Sequence, residues 1–164
     1  MLFRSCYDAT TARWLERAGV HLLLVGDTAA EVILGFDRTI DMPLDVLLAL
    51  TAAVKRGAPN TVVMGDMPFL SYHASDEQAI LNAGRFMTEG KADIVKLEVT
   101  ADFAPLVEKL TRAGIPVCAH VGSRPQTAAL TSGYAGAGRT PDAAEAILRD
   151  AITLEKAEIG RAHV

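Results

Sequence analysis

The chain has 164 residues, half of them hydrophobic, and a formal net charge of −4 at pH 7. This length and composition can bury one sizeable core, so we expect a single domain. Acidic and basic residues are interspersed without a basic block, which argues against nucleic acid as a partner. The apolar runs are far shorter than the ~20 residues of a membrane span, and no signal-like segment opens the chain. We therefore expect a soluble cytoplasmic protein.

Short β-rich runs alternate along the chain with longer stretches in which apolar residues recur at helical spacing. The short runs predict strands at residues 2–6, 21–25, 61–65, 93–97 and 115–119. The longer stretches predict helices at residues 10–18, 44–56, 76–89, 103–113 and 141–156. "SDEQ" predicts a capping box led by Ser75, and the glycines of "AGV", "GKAD" and "AGIP" predict left-handed turns where helices end.

Repeated strand and helix units require a parallel sheet, because a strand returns beside its predecessor in the same direction only after a crossover. Two α/β architectures fit, an open doubly wound sheet and a (β/α)8 TIM barrel of which this chain supplies about the first five units. Five units are few for a barrel of ~250 residues, so length favours the open sheet. The polar residues that end the strands favour the barrel.

Four predicted strands end on a side chain that can bind a metal ion or a substrate. "LLLVGD" and "TVVMGD" end on Asp27 and Asp66, whereas "DIVKLE" and "IPVCAH" end on Glu98 and His120. In a barrel the C-terminal ends of successive strands surround one mouth, so these side chains would converge on one site. Three carboxylates without a nearby cysteine pair suit Mg²⁺ before Zn²⁺. The glycines that precede Asp27 and Asp66 are expected to let the chain turn sharply there.

Each of these polar residues also has an ordinary structural explanation. An aspartate after a strand commonly caps the next helix, which would account for Asp27 or Asp66 taken singly. His120 fits a core histidine whose ring is hydrogen-bonded to backbone. Cys6 and Cys118 lie far apart within apolar runs, so we expect both to pack as reduced, small hydrophobic residues.

Several longer segments together carry a family resemblance that spans nearly the whole chain, in order. They resemble the ketopantoate hydroxymethyltransferase family, and "VGDT", "GDMPF.SY", "VKLE" and "HVG..PQ" are specific in combination. The segments are "YDATTARWLERAGVHLLLVGDT", "LGFDRT", "VKRGAPNTVVMGDMPFLSY", "EQAILNAGRFMTEGKADIVKLE", "AGIPVCAHVGSRPQ" and "GYAGAGRT".

The resemblance implies a (β/α)8 barrel of the phosphoenolpyruvate mutase-like superfamily, assembled as a homo-oligomer that is a decamer in the family. It implies an enzyme of pantothenate biosynthesis that needs Mg²⁺. The reaction would transfer a one-carbon unit from the folate 5,10-methylenetetrahydrofolate to the 2-oxo acid 3-methyl-2-oxobutanoate, giving 2-dehydropantoate.

Residue by residue, the resemblance assigns the metal to Asp27, Asp66 and Glu98. It assigns the substrate to Asp27, Asp66, Thr28, which stands where the family usually has serine, and Lys96. Lys96 lies two residues before Glu98, so on a strand both side chains face the same side. Because Lys96 is embedded in the apolar run "DIVKLEV", we do not expect it to be an ordinary surface lysine. His120 is an accessory candidate near the substrate.

The resemblance places the catalytic general base, a glutamate, on a sixth strand in a segment like "LECVP", which this chain lacks. Residues 1–157 follow the family as a partial barrel, whereas residues 158–164 match nothing in it and are expected to be a non-native tail. We therefore expect this chain to be inactive alone. Two alternatives stay open, another Mg²⁺-dependent 2-oxo acid lyase or mutase of the superfamily, and a non-catalytic binding or assembly module.

Overall fold

A computed structural model describes residues 1–127 and 136–157. The predicted tail at residues 158–164, and part of "GYAGAGRT", lie outside the described residues. The strands are β1 (Phe3–Ser5), β2 (Leu22–Val25), β3 (Val62–Asp66), β4 (Ile94–Glu98) and β5 (Val117–His120). The helices are α1 (Ala9–Arg17), α2 (Ala29–Val32), α3 (Leu44–Gly57), α4 (Asp76–Thr88), α5 (Ala104–Arg112) and α6 (Pro141–Ala157), with 3-10 turns at Thr39–Asp41 and Ala101–Phe103. The sequence patterns predicted all of these strands and helices to within two residues, except the short α2.

The strands form one parallel sheet in the order β1-β2-β3-β4-β5. The pairing between neighbouring strands is continuous. For example, Ser5 pairs with Leu24, and Asp66 pairs with Lys96. A doubly wound sheet would reverse its strand order at a switch point, whereas successive barrel strands are always neighbours. The order therefore decides between the two predicted architectures, and the chain has the first five βα units of a barrel.

The chain divides into two compact units, Met1–Lys96 and Leu97–Val164, with the boundary inside β4. In the first unit α1 packs on α3, and α3 packs on β2 and β3. In the second unit α5 packs on β5 and α6. The sheet and the helix faces that cover it supply the buried apolar side chains, which include Leu23, Val25, Leu47, Val54, Val63, Phe86 and Val95 in the first unit and Leu97, Val99, Val107, Leu110 and Leu154 in the second.

Most of the predicted helix ends are confirmed. Ser75 caps α4 by accepting the Gln78 amide at 3.2 Å, and Gly19 and Gly114 take left-handed φ values of 79° and 84°. In "GKAD" the left-handed residue is Lys91, not Gly90. Position 90 has no space for a side chain, because a Cβ there would lie 2.8 Å from the Phe86 carbonyl oxygen.

Among the described residues, none of the helices combines the length and the apolar character that crossing a bilayer requires. Neither cysteine forms a disulfide, and Cys6 is buried. Burial raises the pKa of the Cys6 thiol, so it stays protonated and packs as a small hydrophobic residue. The structure thus confirms the interpretation of Cys6, and for Cys118, which is half-buried, it confirms only that no disulfide forms.

The packing of α1 on α3 depends on Gly57, and this gives a test of the fold. A Cβ at Gly57 would lie 2.2 Å from the carbonyl oxygen of Ala9, which is backbone and cannot move aside cheaply. We expect Gly57→Ala to lower the free energy of unfolding by about 1–3 kcal/mol or more. Urea denaturation followed by circular dichroism measures the difference.

Gly84→Ala is the matched control, because Gly84 lies inside α4 with nothing within 4 Å of the added Cβ. Alanine favours the helix there by up to about 1 kcal/mol. Equal effects of the two substitutions would contradict the proposed packing constraint.

Candidate functional site

Asp66 is the centre of the polar group in the first unit. It ends β3, is 1% exposed, and lies opposite Lys96 in the ladder between β3 and β4. Its Oδ2 accepts the backbone N–H of Asp27 at 3.0 Å and lies 2.8 Å from Lys96 Nζ. The carboxylate therefore connects the ends of three neighbouring strands.

The other carboxylate oxygen of Asp66 is what marks this place as a ligand site. Oδ1 is buried and has no hydrogen-bond partner among the described residues. A buried acceptor of this kind costs about 1–3 kcal/mol, and native structures keep one chiefly where something else binds it. Asp27, 3% exposed, contributes a second buried carboxylate beside it.

Electrostatics at Asp66 oppose its ionisation. Burial raises the pKa of the Asp66 carboxyl to about 7, with Asp27 adding to the rise and Lys96 opposing it. The ion pair with Lys96 is therefore outweighed by loss of solvent, and a bound cation would favour the ionised form. Shifts of this kind are typical of functional sites.

Lys96 does not have the exposure of a surface lysine. Its side chain is 12% exposed and pairs with Asp66 at the end of the sheet. An ammonium group held here supplies a positive charge next to the two buried carboxylates, which is where an anionic ligand would need it.

The two glycines before the aspartates make space, and the sharp turn that we expected from them is found at Gly26 only. There the Ala29 N–H donates to the Gly26 carbonyl at 3.0 Å, whereas Gly65 lies inside β3, which continues to Asp66. Neither Gly26 nor Gly65 takes a positive φ. A Cβ on Gly65 would lie 2.4 Å from the ring of Phe86, and a Cβ on Gly26 would lie 3.1 Å from Thr28 Oγ1. Glycine at these positions keeps the core ring and the site hydroxyl in place.

Helix capping does not explain the two aspartates. Thr28, not Asp27, is the N-cap residue of α2, and its side chain makes no capping hydrogen bond. Asp66 is followed by a loop, and Ser75 caps the helix after it. Instead of capping α2, the Thr28 hydroxyl lies 2.9 Å from the phenol oxygen of Tyr7, a residue that the sequence analysis did not identify.

In the second unit, Glu98 and His120 end β4 and β5. Glu98 is 3% exposed, and its Oε2 accepts the backbone N–H of Gln126 at 2.9 Å. His120 Nδ1 lies 3.5 Å from Glu98 Oε1, and the imidazole is 34% exposed, so His120 is not a core histidine. Gln126 was missed as a partner of Glu98, although "HVG..PQ" contains it.

Within neither unit do the described residues include three His, Cys, Asp or Glu side chains grouped as a metal site. The three predicted ligands are divided, since Asp27 and Asp66 belong to the first unit and Glu98 to the second. Their joint role in binding a metal ion therefore stays a prediction.

The raised pKa of Asp66 predicts how stability depends on pH. The folded chain keeps a proton on this carboxyl up to about pH 7, whereas an ordinary aspartate loses it near 3.8. The folded state thus binds more protons in that interval, so the free energy of unfolding falls as pH rises through it, by on the order of 1 kcal/mol per pH unit.

Urea denaturation without metal at a series of pH values measures this slope, and Asp66→Asn is expected to remove most of it. Asp37→Asn removes the same formal charge from an exposed position and serves as the control. An unchanged slope in Asp66→Asn would show that the carboxyl titrates normally in the folded state.

Comparison with known proteins shows which family the chain matches. The family model for ketopantoate hydroxymethyltransferase matches residues 1–161. The 3-methyl-2-oxobutanoate hydroxymethyltransferase of Thermobifida fusca is 48% identical over 155 residues, which are 94% of this chain and 55% of that protein. The enzyme of the same name from Shouchella clausii is 46% identical over 153 residues, 93% of this chain and 55% of that protein. The chain thus spans about half the length of the curated relatives it matches.

Solved structures share the fold at much lower identity. A crystal structure of 2,3-dimethylmalate lyase, described as a PEP mutase/isocitrate lyase superfamily member, matches with a TM-score of 0.65 at 20% identity, covering 96% of this chain and 53% of that one. A phosphonopyruvate hydrolase in complex with oxalate and Mg²⁺ matches with a TM-score of 0.71 at 12% identity, covering 96% and 55%. The barrel fold predicted from the sequence is confirmed. On the match of the family model, the chain belongs to the ketopantoate hydroxymethyltransferase family.

Proposed function

We propose that this chain carries the metal and 2-oxo acid half of a hydroxymethyltransferase site. The reaction would transfer a one-carbon unit from 5,10-methylenetetrahydrofolate to 3-methyl-2-oxobutanoate, giving 2-dehydropantoate for pantothenate biosynthesis. The observation that carries the proposal is Asp66. Its carboxylate is buried, its Oδ1 has no hydrogen-bond partner among the described residues, and a second buried carboxylate and a half-buried ammonium group lie beside it. The names of the family and of its relatives support the keto acid and the hydroxymethyl transfer, and the folate donor and the pathway are part of the proposal.

The residues present fit a hard divalent cation. Carboxylate oxygens are the ligands that Mg²⁺ prefers, and Asp66 Oδ1 is a buried oxygen without a hydrogen-bond partner among the described residues. We propose that Asp27, Asp66 and Glu98 hold Mg²⁺. The phosphonopyruvate hydrolase of similar fold is described in complex with oxalate and Mg²⁺, which supports the same metal for this site. Bound there, Mg²⁺ would act as a Lewis acid toward the keto and carboxylate oxygens of the substrate.

The chain's own residues have separate tasks in this proposal. Lys96 neutralises the charge of the keto acid. Its Nζ lies 2.8 Å from Asp66 Oδ2, so the keto acid would bind beside Asp66. Thr28 donates its hydroxyl proton to the substrate carboxylate. His120, one third exposed at the end of β5, is an accessory group near the substrate. Proton removal from C3 of the keto acid needs a general base within hydrogen-bond reach.

We do not assign that base to any residue of this chain. In the family it is a glutamate in a segment like "LECVP", and the 164 residues contain no such segment. We propose that these residues bind the metal and the keto acid but do not enolise the substrate by themselves. Assembly as a homo-oligomer, a decamer in the family, and a cytoplasmic location complete the proposal.

A metal titration tests the first part of the proposal. We expect calorimetry to detect Mg²⁺ binding that Asp66→Asn weakens at least about tenfold, because one ligand loses its charge. Asp93→Asn is a matched control, because Asp93 is a partly buried aspartate just before β4, paired with Lys55 and hydrogen-bonded to the Val63 amide. Equal binding by the parent and Asp66→Asn would remove Asp66 from the metal site.

A deuterium-exchange experiment tests the second part. Exchange at C3 of 3-methyl-2-oxobutanoate in D2O with Mg²⁺, followed by NMR, reports enolisation without folate. We expect no rate above the metal-only control, since a positioned base contributes about 10²–10⁴-fold. Faster exchange that Asp27→Asn abolishes would mean that a residue of this chain serves as base, and His120 would be examined first.

A further inference from the structure

Tyr7 reaches the proposed site from the segment just after β1, to which the sequence analysis gave no functional residue. It lies two residues beyond the end of β1, which pairs with β2 through Ser5 and Leu24. This pairing places the phenol oxygen of Tyr7 2.9 Å from Oγ1 of Thr28. Tyr7 is half-buried and does not contact a carboxylate among the contacts described for it.

The direction of this hydrogen bond depends on what else Thr28 binds. Either hydroxyl can be the donor in the structure as it stands. A carboxylate ligand only accepts hydrogen bonds, so a carboxylate bound to Thr28 must take the threonine's single proton. Thr28 can then only accept from Tyr7, and the phenol proton fixes the threonine hydroxyl with its hydrogen toward the ligand. Hydrogen bonds in such a chain polarise and strengthen one another.

The surroundings of Thr28 hold the hydroxyl where Tyr7 can reach it. Threonine is β-branched and therefore stiff about χ1. A Cβ at Gly26 would lie 3.1 Å from Thr28 Oγ1, so glycine leaves this rotamer its space. Thr28 stands at the start of α2, yet its side chain makes no capping hydrogen bond, so the hydroxyl is not used for that purpose.

We infer that Tyr7 is a positioning residue for the carboxylate of the 2-oxo acid and acts through the hydroxyl of Thr28. The inference rests on the proposed function, because it takes the ligand of Thr28 to be the substrate carboxylate. It adds a residue from the segment just after β1 to a site otherwise built from the ends of the following strands. Tyr7 does not touch the substrate.

Calorimetric titration of 3-methyl-2-oxobutanoate at saturating Mg²⁺ tests this role. Tyr7→Phe removes one oxygen atom, and we expect it to raise the Kd of the keto acid about three- to tenfold, the effect of one lost hydrogen bond. The Kd of Mg²⁺ alone should not change. A merely structural role for Tyr7 would lower the thermal midpoint of unfolding without this selective loss.

Two further variants separate positioning from stability. Thr51→Val removes a buried hydroxyl that donates to the Leu47 carbonyl inside α3, and it should leave the keto acid Kd unchanged. In a Thr28→Val background, Tyr7→Phe should change the Kd less than twofold, because its partner is already gone. If Tyr7→Phe does not fold, Thr28→Ser against Thr28→Val still tests the hydroxyl, and equal affinities of those two would overturn the inference.

The outcomes distinguish this inference from the proposed function. A parent chain that binds Mg²⁺ but no 2-oxo acid would overturn the proposed function, and the inference with it. A parent that binds the keto acid as well as Tyr7→Phe does would overturn the inference alone. So would a Tyr7→Phe effect that persists in full in the Thr28→Val background.

Discussion

The first unit depends on a buried carboxylate that the protein does not fully neutralise. Asp66 is 1% exposed, and burial outweighs the attraction of Lys96, so its pKa rises to about 7. The partners it does have, the Asp27 amide and Lys96, come from the strand ends on either side. A parallel sheet does not need a buried carboxyl group whose ionisation is opposed by burial. Such a carboxyl is understandable where a cation is to be bound, because the cation would stabilise the charge that burial opposes.

This constraint extends into the packing around the carboxylate. Gly65 precedes Asp66 within β3, and the buried ring of Phe86 occupies the space that a side chain there would need. Just after β2, Gly26 leaves room for the Thr28 hydroxyl and for Asp66 Oδ2, which would lie 3.1 and 3.7 Å from a Cβ at this position. Glycines within β3 and just after β2 therefore leave space beside the site. Any larger residue at either position would move a group on which the site depends.

How much of this could be read from the sequence differs from feature to feature. The strands and long helices follow from periodicity and were found, as were the four strand-end residues, because each interrupts an apolar run. The helix α2 has four residues, too few to show a period. The contact of Tyr7 with Thr28 joins residues 21 positions apart, and its existence depends on the register between β1 and β2. The sequence shows the glycines before Asp27 and Asp66, but it does not show the Phe86 ring and the Thr28 hydroxyl, whose positions require glycine there.

Fold and family answer different questions about this chain. Structures of a lyase and of a hydrolase share its barrel at 12–20% identity, so the arrangement of strands does not choose among their reactions. The match at 46–48% identity over 93–94% of this chain shows the family, and the reaction proposed for the chain follows from that family. The side chains at the strand ends differ in how they are held. Asp66 and Lys96 are fixed by each other across adjacent strands, whereas Glu98 is fixed by the Gln126 amide from the segment after β5. A barrel that supports several reactions can thus keep its sheet and change its chemistry through the loops that follow each strand.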